Sequence, residues 1–301
     1  MIKDILKKVK KLDVFTKNNI NSLFLGNYRS AFKGRGIEFA DIRQYDVGDD
    51  VRDIDWKTTS KQGEVYVKTY HESRDNTLFF LVDGSPSMQF SSTKKRKYEL
   101  LLETFALIAF TAVRNGDRVG VLFYDNGAEK IFPPKKGRKN VLKILKFCIE
   151  QYNEGLVSDK KDFKLNENTL DKKFYLTLSL LKHSASIFWL TGTVENTKDV
   201  QKNIKMIKAK HDLIPIVFVD PVEEKWQERG EFTFMDSNTG KIQNIVVTKD
   251  VINRYQKIYH NKKRNFEKFF QKNRMETLFI SHTERIYQKL FLFFQLRQRK
   301  Q

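Results

Sequence analysis

A single cysteine, Cys148, stands in the whole chain. No internal disulfide can form, and a reducing compartment is expected. The longest apolar stretch, Phe105 to Val113, falls well short of the ~20 residues a membrane-crossing helix needs. No cleavable leader is expected, because Met1 to Lys11 sets lysines between isolated apolar residues. The histidines (His71, His183, His211, His260 and His282) are scattered without zinc-binding spacing. The chain has no phosphate-cradling Gly-x-x-x-x-Gly-Lys-Ser/Thr loop and no Gly-x-Ser-x-Gly elbow. It has no internal repeat and no low-complexity linker. Together these absences point to a soluble cytoplasmic chain and away from disulfide scaffolds, zinc fingers, P-loop nucleotidases and α/β-hydrolases.

What is present supports a real core. Of 301 residues, 40% are hydrophobic and 31% charged, enough for one large or two modest domains. Lys and Arg number 56 against 37 Asp and Glu, for a net charge of +19. Nucleic acid, anionic lipid or an acidic protein could be drawn to such a chain. A lysine- and asparagine-rich composition also follows from an AT-rich genome. The basic excess is greatest from Val251 to Gln301. The aromatic residues there (Phe266, Phe269, Phe270, Phe291, Phe293, Phe294) recur at helical spacing. They read as core rather than as a platform for stacking bases, which leaves nucleic-acid binding as the alternative function.

Ile2, Ile5, Leu6, Val9 and Leu12 predict a basic amphipathic helix at the start. Such a helix can lie on a membrane, though packing on the domain behind it is the commoner fate. Acids and arginines then alternate around Tyr45 and Trp56. Arg43 and Arg52 are expected to pair with Asp49 and Asp55 in a hydrogen-bonded network. That network would serve as a recognition surface or as an ion-pair core holding a small sheet to its neighbour. The core is the working expectation. Val65, Val67 and Thr69 alternate as a strand of this small unit.

The stretch Leu78 to Met88 organises the remainder. Five apolar residues, Leu78 to Val82, read as a strand buried on both faces. The strand ends in Asp83-Gly84-Ser85-Pro86-Ser87. In an open parallel sheet, ligands bind beyond the carboxyl ends of the strands. Asp83, Ser85 and Ser87 would converge there as hard oxygens suited to Mg²⁺. An aspartyl phosphotransferase would want a second carboxylate at position 85, which is serine. Helix capping by the same residues is the plainer alternative.

Beyond Asp83, helices and strands alternate. Helices are predicted over Tyr98 to Arg114, Asn140 to Tyr152, Leu170 to Lys182 and Thr197 to Lys210. Strands are predicted over Arg118 to Tyr124, Ser186 to Leu190 and Leu213 to Val219. This is the pattern of a mostly parallel sheet covered on both faces. Glu231 to Met235 and Ile242 to Val247 flank a turn-forming Asp236 to Gly240 and predict a hairpin. A long basic helix (Lys249 to Asn273), a strand (Thr277 to Ile280) and a last helix (Thr283 to Arg299) follow.

Several strings in this order resemble the domain of unknown function 58 family, which carries a von Willebrand factor A-like domain. They are Gly36-x-Glu38-Phe39, then Arg43-x-Tyr45-x-x-Gly48-Asp49-x-x-Arg52-x-Ile54-Asp55-Trp56. Asp83-x-Ser85-x-Ser87-Met88 follows, then Asp220-Pro221-x-Glu223 and Asp236-x-x-Thr239-Gly240. The resemblance implies an α/β fold, a doubly wound, mostly parallel sheet with a small β-rich subdomain. Residues 1–76 would form the N-terminal helix and small subdomain, and 77–301 the A-like domain with a hairpin insertion near 230–248. It further implies a metal-ion-dependent adhesion site in which Thr169 joins Asp83, Ser85 and Ser87. The third-loop aspartate of that site falls at Gly192 here. A weakly held Mg²⁺ is the expectation, with a partner's acid completing its shell. Glu195 and Asp199 are poorer substitutes because they lie past the strand end. Membership implies a bacterial, non-enzymatic protein-binding module associated with MoxR-type AAA+ ATPases and other A-domain proteins. A membrane-anchored client would place it at the periphery of the inner membrane.

Overall fold

The computed structural model describes residues 20–32, 37–72, 76–125, 129–157, 169–194, 197–236 and 241–299, with positions 7, 11, 14 and 16. The apolar positions of the predicted first helix, the hairpin turn from Ser237 to Gly240, and Glu195 lie outside the described residues.

The chain begins with α1 (Ser22–Ala31), β1 (Ile37–Gln44), α2 (Trp56–Gln62) and β2 (Tyr66–Glu72). The large sheet opens with β3 (Thr77–Asp83), α3 (Lys97–Asn115), β4 (Arg118–Tyr124), β5 (Glu129–Lys135) and α4 (Arg138–Val157). It continues with α5 (Thr169–Leu180), β6 (Ser186–Thr191), α6 (Lys198–Lys210), β7 (Asp212–Val219) and the short α7 (Pro221–Glu224). The hairpin β8 (Gly230–Met235) and β9 (Ile242–Val247) precedes α8 (Lys249–Lys272), β10 (Leu278–Ser281) and α9 (Ile286–Gln298).

The six-stranded sheet has the order β10-β7-β6-β3-β4-β5. Every pairing in it is parallel except β4 with β5. The central strand β3 is buried along its apolar run, and alternate residues serve opposite layers. Leu78, Phe80 and Val82 join the core beneath α1, α3, α4 and α9. Phe79 and Leu81 join the core beneath α5, α6 and α8. The predicted doubly wound, mostly parallel sheet is therefore what the chain forms.

Two strands depart from the sequence reading. β5 contains Pro133 and Pro134, which cannot donate to a ladder and are tolerated only at a sheet edge or bulge. β5 is the edge strand, and its pairing with β4 shifts register between Val119 and Val121. β1 pairs antiparallel with β2 around a bulge between Phe39 and Asp41, an irregularity that hides the strand period.

The small sheet β1–β2 closes on α2 and on the 3₁₀ turn Val51–Asp53, with Ile54 bridging Val67. Val67 is buried there. By contrast α1 packs on α9 and α3, with Phe24 and Tyr28 in the large core. The small unit is thus 37–72, and α1 belongs by contact with the large sheet. Among the described residues, no helix is long and apolar enough to cross a membrane.

Candidate functional site

The sheet runs outward from β3 in two directions: β4 and β5 on one side, β6, β7 and β10 on the other. The topological switch therefore falls between β3 and β6, where an open α/β sheet leaves a crevice beyond its carboxyl ends. Asp83 ends β3 there, and Thr191 ends β6.

In the Asp83 loop the two serine hydroxyls meet each other, while Asp83 bonds to the loop backbone and to the end of β6. The Ser85 N–H donates to Asp83 Oδ1 at 2.9 Å, and Ser85 Oγ and Ser87 Oγ are 2.9 Å apart. Thr191 Oγ1 donates to Asp83 Oδ2 at 2.9 Å, and the Gly192 N–H lies 3.5 Å from the same oxygen. Asp83 itself is buried. Gly84 makes the close turn possible: a Cβ there would enter the Phe123 ring. Ser85 sits at the N-cap of the 3₁₀ turn Pro86–Gln89 without a side-chain capping bond, so capping does not account for its hydroxyl. Thr169 begins α5, and its side chain lies outside the described residues. Asp199 is exposed in the first turn of α6, which Thr197 caps.

Gly192 brings no side-chain ligand to this strand end. A Cβ on Gly192 would stand 2.6 Å from Met88 Sδ and 3.5 Å from Lys97 Nζ. The Met88 thioether takes the room a side chain would need, and the Lys97 ammonium lies at ordinary contact distance. Lys97 is only 1% exposed, and its ammonium donates to Glu223 Oε1 at 2.6 Å. The residues around Glu223 are tightly bonded. The Asp220 N–H donates to Glu223 Oε2 at 2.9 Å, and Asp220 accepts from Ser92 N at 2.8 Å and Val222 N at 3.0 Å.

The small unit corrects the expectation of a buried ionic core. Arg43 does pair with Asp49, at 2.6 Å. The pair is exposed, and that hydrogen bond holds the Asp49 carboxyl below its usual range. Arg52 pairs with Asp50 instead of Asp49 or Asp55, with its side chain 88% exposed. Asp55 accepts from the N–H groups of Lys57 and Thr58 as the N-cap of α2. Among the described residues, no long-range side-chain partner draws these groups inward; each bonds within a few residues of itself. Tyr45 and Val51 are exposed, Trp56 is 68% exposed and Val47 97%.

The family described as "Protein of unknown function DUF58" has a model that matches residues 41–265. The chain belongs to that family. Among relatives, the uncharacterized protein Rv1480 of Mycobacterium tuberculosis is 21% identical over 239 residues, covering 78% of this chain and 72% of that one. The uncharacterized protein YeaD of Bacillus subtilis is 31% identical over 108 residues, 36% of this chain and 25% of its own. Among solved structures, the conserved hypothetical protein BatB from Bacteroides thetaiotaomicron aligns with a TM-score of 0.43 at 11% identity, over 75% of this chain and 100% of that one. The SpRpn10 VWA domain aligns at 0.36 and 9%, over 71% of this chain and 93% of its own.

Within this DUF58 chain, sequence reasoning missed Lys97 as a site residue. It stands in the run Lys94-Lys95-Arg96-Lys97, which reads as solvated charge. Glu223 was visible as part of the Asp220-Pro221-x-Glu223 string, without its partner. The C-terminal phenylalanines behave as their spacing predicts: Phe266, Phe270, Phe293 and Phe294 are buried, and Phe269 and Phe291 pack against the core.

Proposed function

We propose that this DUF58 chain is a non-enzymatic protein-interaction module, an adaptor that presents a client to a MoxR-type AAA+ ATPase. The observation that carries the reading is the exposed segment Tyr45 to Trp56, with Tyr45, Val47, Val51 and Trp56 all in solvent. Large apolar side chains stand in solvent there, interleaved with Asp46, Asp49, Asp50 and Asp53. Exposed apolar groups rimmed by charge mark contact sites for other proteins. An acidic segment on a chain of net charge +19 is complementary to a basic partner surface. The choice of a MoxR-type ATPase, of other A-domain proteins as companions, and of a client at the inner membrane rests on family resemblance.

The non-enzymatic part draws support from the chemistry of the nucleophile candidates. The Cys148 thiol is buried, which pushes its pKa up to about 12, so it lacks thiolate character at neutral pH. Both carboxylate oxygens of Asp83 accept bonds from the chain itself. Crosslinked copurification on the tagged full chain, with nucleotide present, is expected to recover an AAA+ ATPase. Trp56→Ala is expected to lose that partner without a change in melting temperature. Repeated recovery of no AAA+ ATPase would sink the proposal.

A further inference from the structure

We infer that the side of the six-stranded sheet covered by α6 and α8 is a docking surface for an anionic phospholipid membrane. α6 joins β6 to β7, and α8 lies between β7 and β10, so both connections step toward the same margin of the sheet. Right-handed crossovers in one direction put both helices on one side. Their buried residues agree: Val200, Ile204 and Ile207 of α6 enter the same core as Phe266 and Phe270 of α8. The residues opposite these face away from the sheet, on that same side. On α8 the outer line is Arg254, Lys257, Arg264, Lys268 and Lys272, at helical spacing and all exposed. It runs for about 27 Å at the helical rise. On α6 it is Lys198, Lys202 and Lys205, also exposed. Among the described residues none of these side chains is ion-paired, whereas Lys263 of α8, half-buried, pairs with Glu224. The exposed acids of the two helices, Asp199 and Asp250, both stand in a first turn, where the helix dipole favours them. Like charges held side by side repel one another, and an anionic partner relieves that repulsion.

The side chains between the charges decide the kind of partner. Met206, Val251 and Ile258 are exposed on these helices. Aliphatic groups set among lysines suit the boundary between lipid headgroups and acyl chains. A lysine ammonium is a point charge on a flexible stem, suited to a fluid array of phosphates more than to one fixed bidentate geometry. On the α6 side a concavity of about 470 Å³ is lined by Lys198, Gln201, Lys202, Lys205, Met206 and Ala209. Its mixed cationic and apolar lining fits a headgroup phosphate with its glycerol carbons. A single-stranded nucleic acid would want open aromatic faces along the basic line. Phe266 and Phe270 are buried instead, and Tyr255 stacks on Tyr259. Duplex DNA admits one helix into its major groove, whereas here two helices share one layer. The surface is separate from the Tyr45 to Trp56 segment, which lies in the small unit.

The test is co-sedimentation of purified full-length chain with vesicles of phosphatidylglycerol and phosphatidylcholine, against vesicles of phosphatidylcholine alone. Binding is expected to the anionic vesicles only, and is expected to fade as salt rises from about 0.05 to 0.5 M. Lys202→Gln, Lys257→Gln and Lys268→Gln together are expected to lower the affinity about 100-fold, at roughly five-fold for each basic residue near the surface. Lys139→Gln, Lys143→Gln and Lys146→Gln together remove the same charge from α4, on the opposite layer, and are expected to cost less than about three-fold. All the substituted lysines are exposed, so both variants should melt with the wild type. Met206→Gln with Ile258→Gln is expected to weaken vesicle binding about ten-fold. Equal losses from the two lysine triples would mean that net charge alone acts, and would overturn the inference. So would a wild type that ignores anionic vesicles at low salt. Tighter binding to duplex or single-stranded DNA that survives ~0.2 M salt would assign the surface to nucleic acid and overturn it too.

Discussion

Arg297 and Arg52 carry the same guanidinium and meet opposite fates. Arg297 is buried, donates to the Ala31 carbonyl at 3.1 Å, pairs with Glu276 at 3.0 Å and with Asp212, and lies over the Phe32 ring. It ties α9 to the end of α1 and the start of β7. Removing one partner of a buried ionic network leaves the others uncompensated, at roughly 3–5 kcal/mol. Arg297→Ala should cost that much in urea denaturation. Arg52→Ala should stay within about 0.5 kcal/mol, as exposed pairs do. Equal losses for the two variants would contradict this assignment. The sequence shows dense acids and arginines around Arg52, but it cannot show that Arg297 meets Asp212 across 85 positions. Lys97 was illegible for the same reason. Side-chain burial depends on contacts that local pattern does not encode, whereas the place of Asp83 at a strand end was legible because the apolar run before it is local.

Elements were more legible where a period repeats. β3, α3, β6, β7 and the hairpin fall within a few residues of their predicted spans, because burial on two faces or one leaves a readable pattern. β5 was lost to its prolines and β1 to its bulge. The corner between β7 and α7 shows what local strings can conceal. Asp220 caps α7 and also accepts from the backbone and the hydroxyl of Ser92, so one carboxylate fastens the loop before α3 to the end of β7. Asp220→Ala removes a cap and orphans the Ser92 N–H. About 1–3 kcal/mol of destabilisation is expected, read as a lowered melting temperature. In a cycle with Ser92→Ala, the two losses should be less than additive; simple additivity would mean the residues do not act together.

Across the whole molecule, burial on both sides of the sheet sets the response to alkali. Tyr28 and Tyr98 lie in one core and Tyr124 in the other. Burial holds all three well above the ordinary value of 10.0, and the nearby Asp117 carboxylate adds to the effect at Tyr28. Once the pH passes 10, unfolded tyrosines release protons that the folded chain keeps. Stability therefore falls as pH rises through that range. Tyrosinate absorbance from these residues should appear together with loss of far-ultraviolet dichroism. Complete titration near the ordinary value with the fold intact would contradict the burial argument. The placement of Pro133 and Pro134 bears on how whole molecules meet. Proline on the outermost strand removes the donors that an incoming strand would need. At the opposite margin, β10 is only four residues long. Neither margin of the six-stranded sheet offers a long template for annealing a peptide or a second copy. At this sheet, association is steered away from strand addition and fibre-like growth, and toward recognition by side chains.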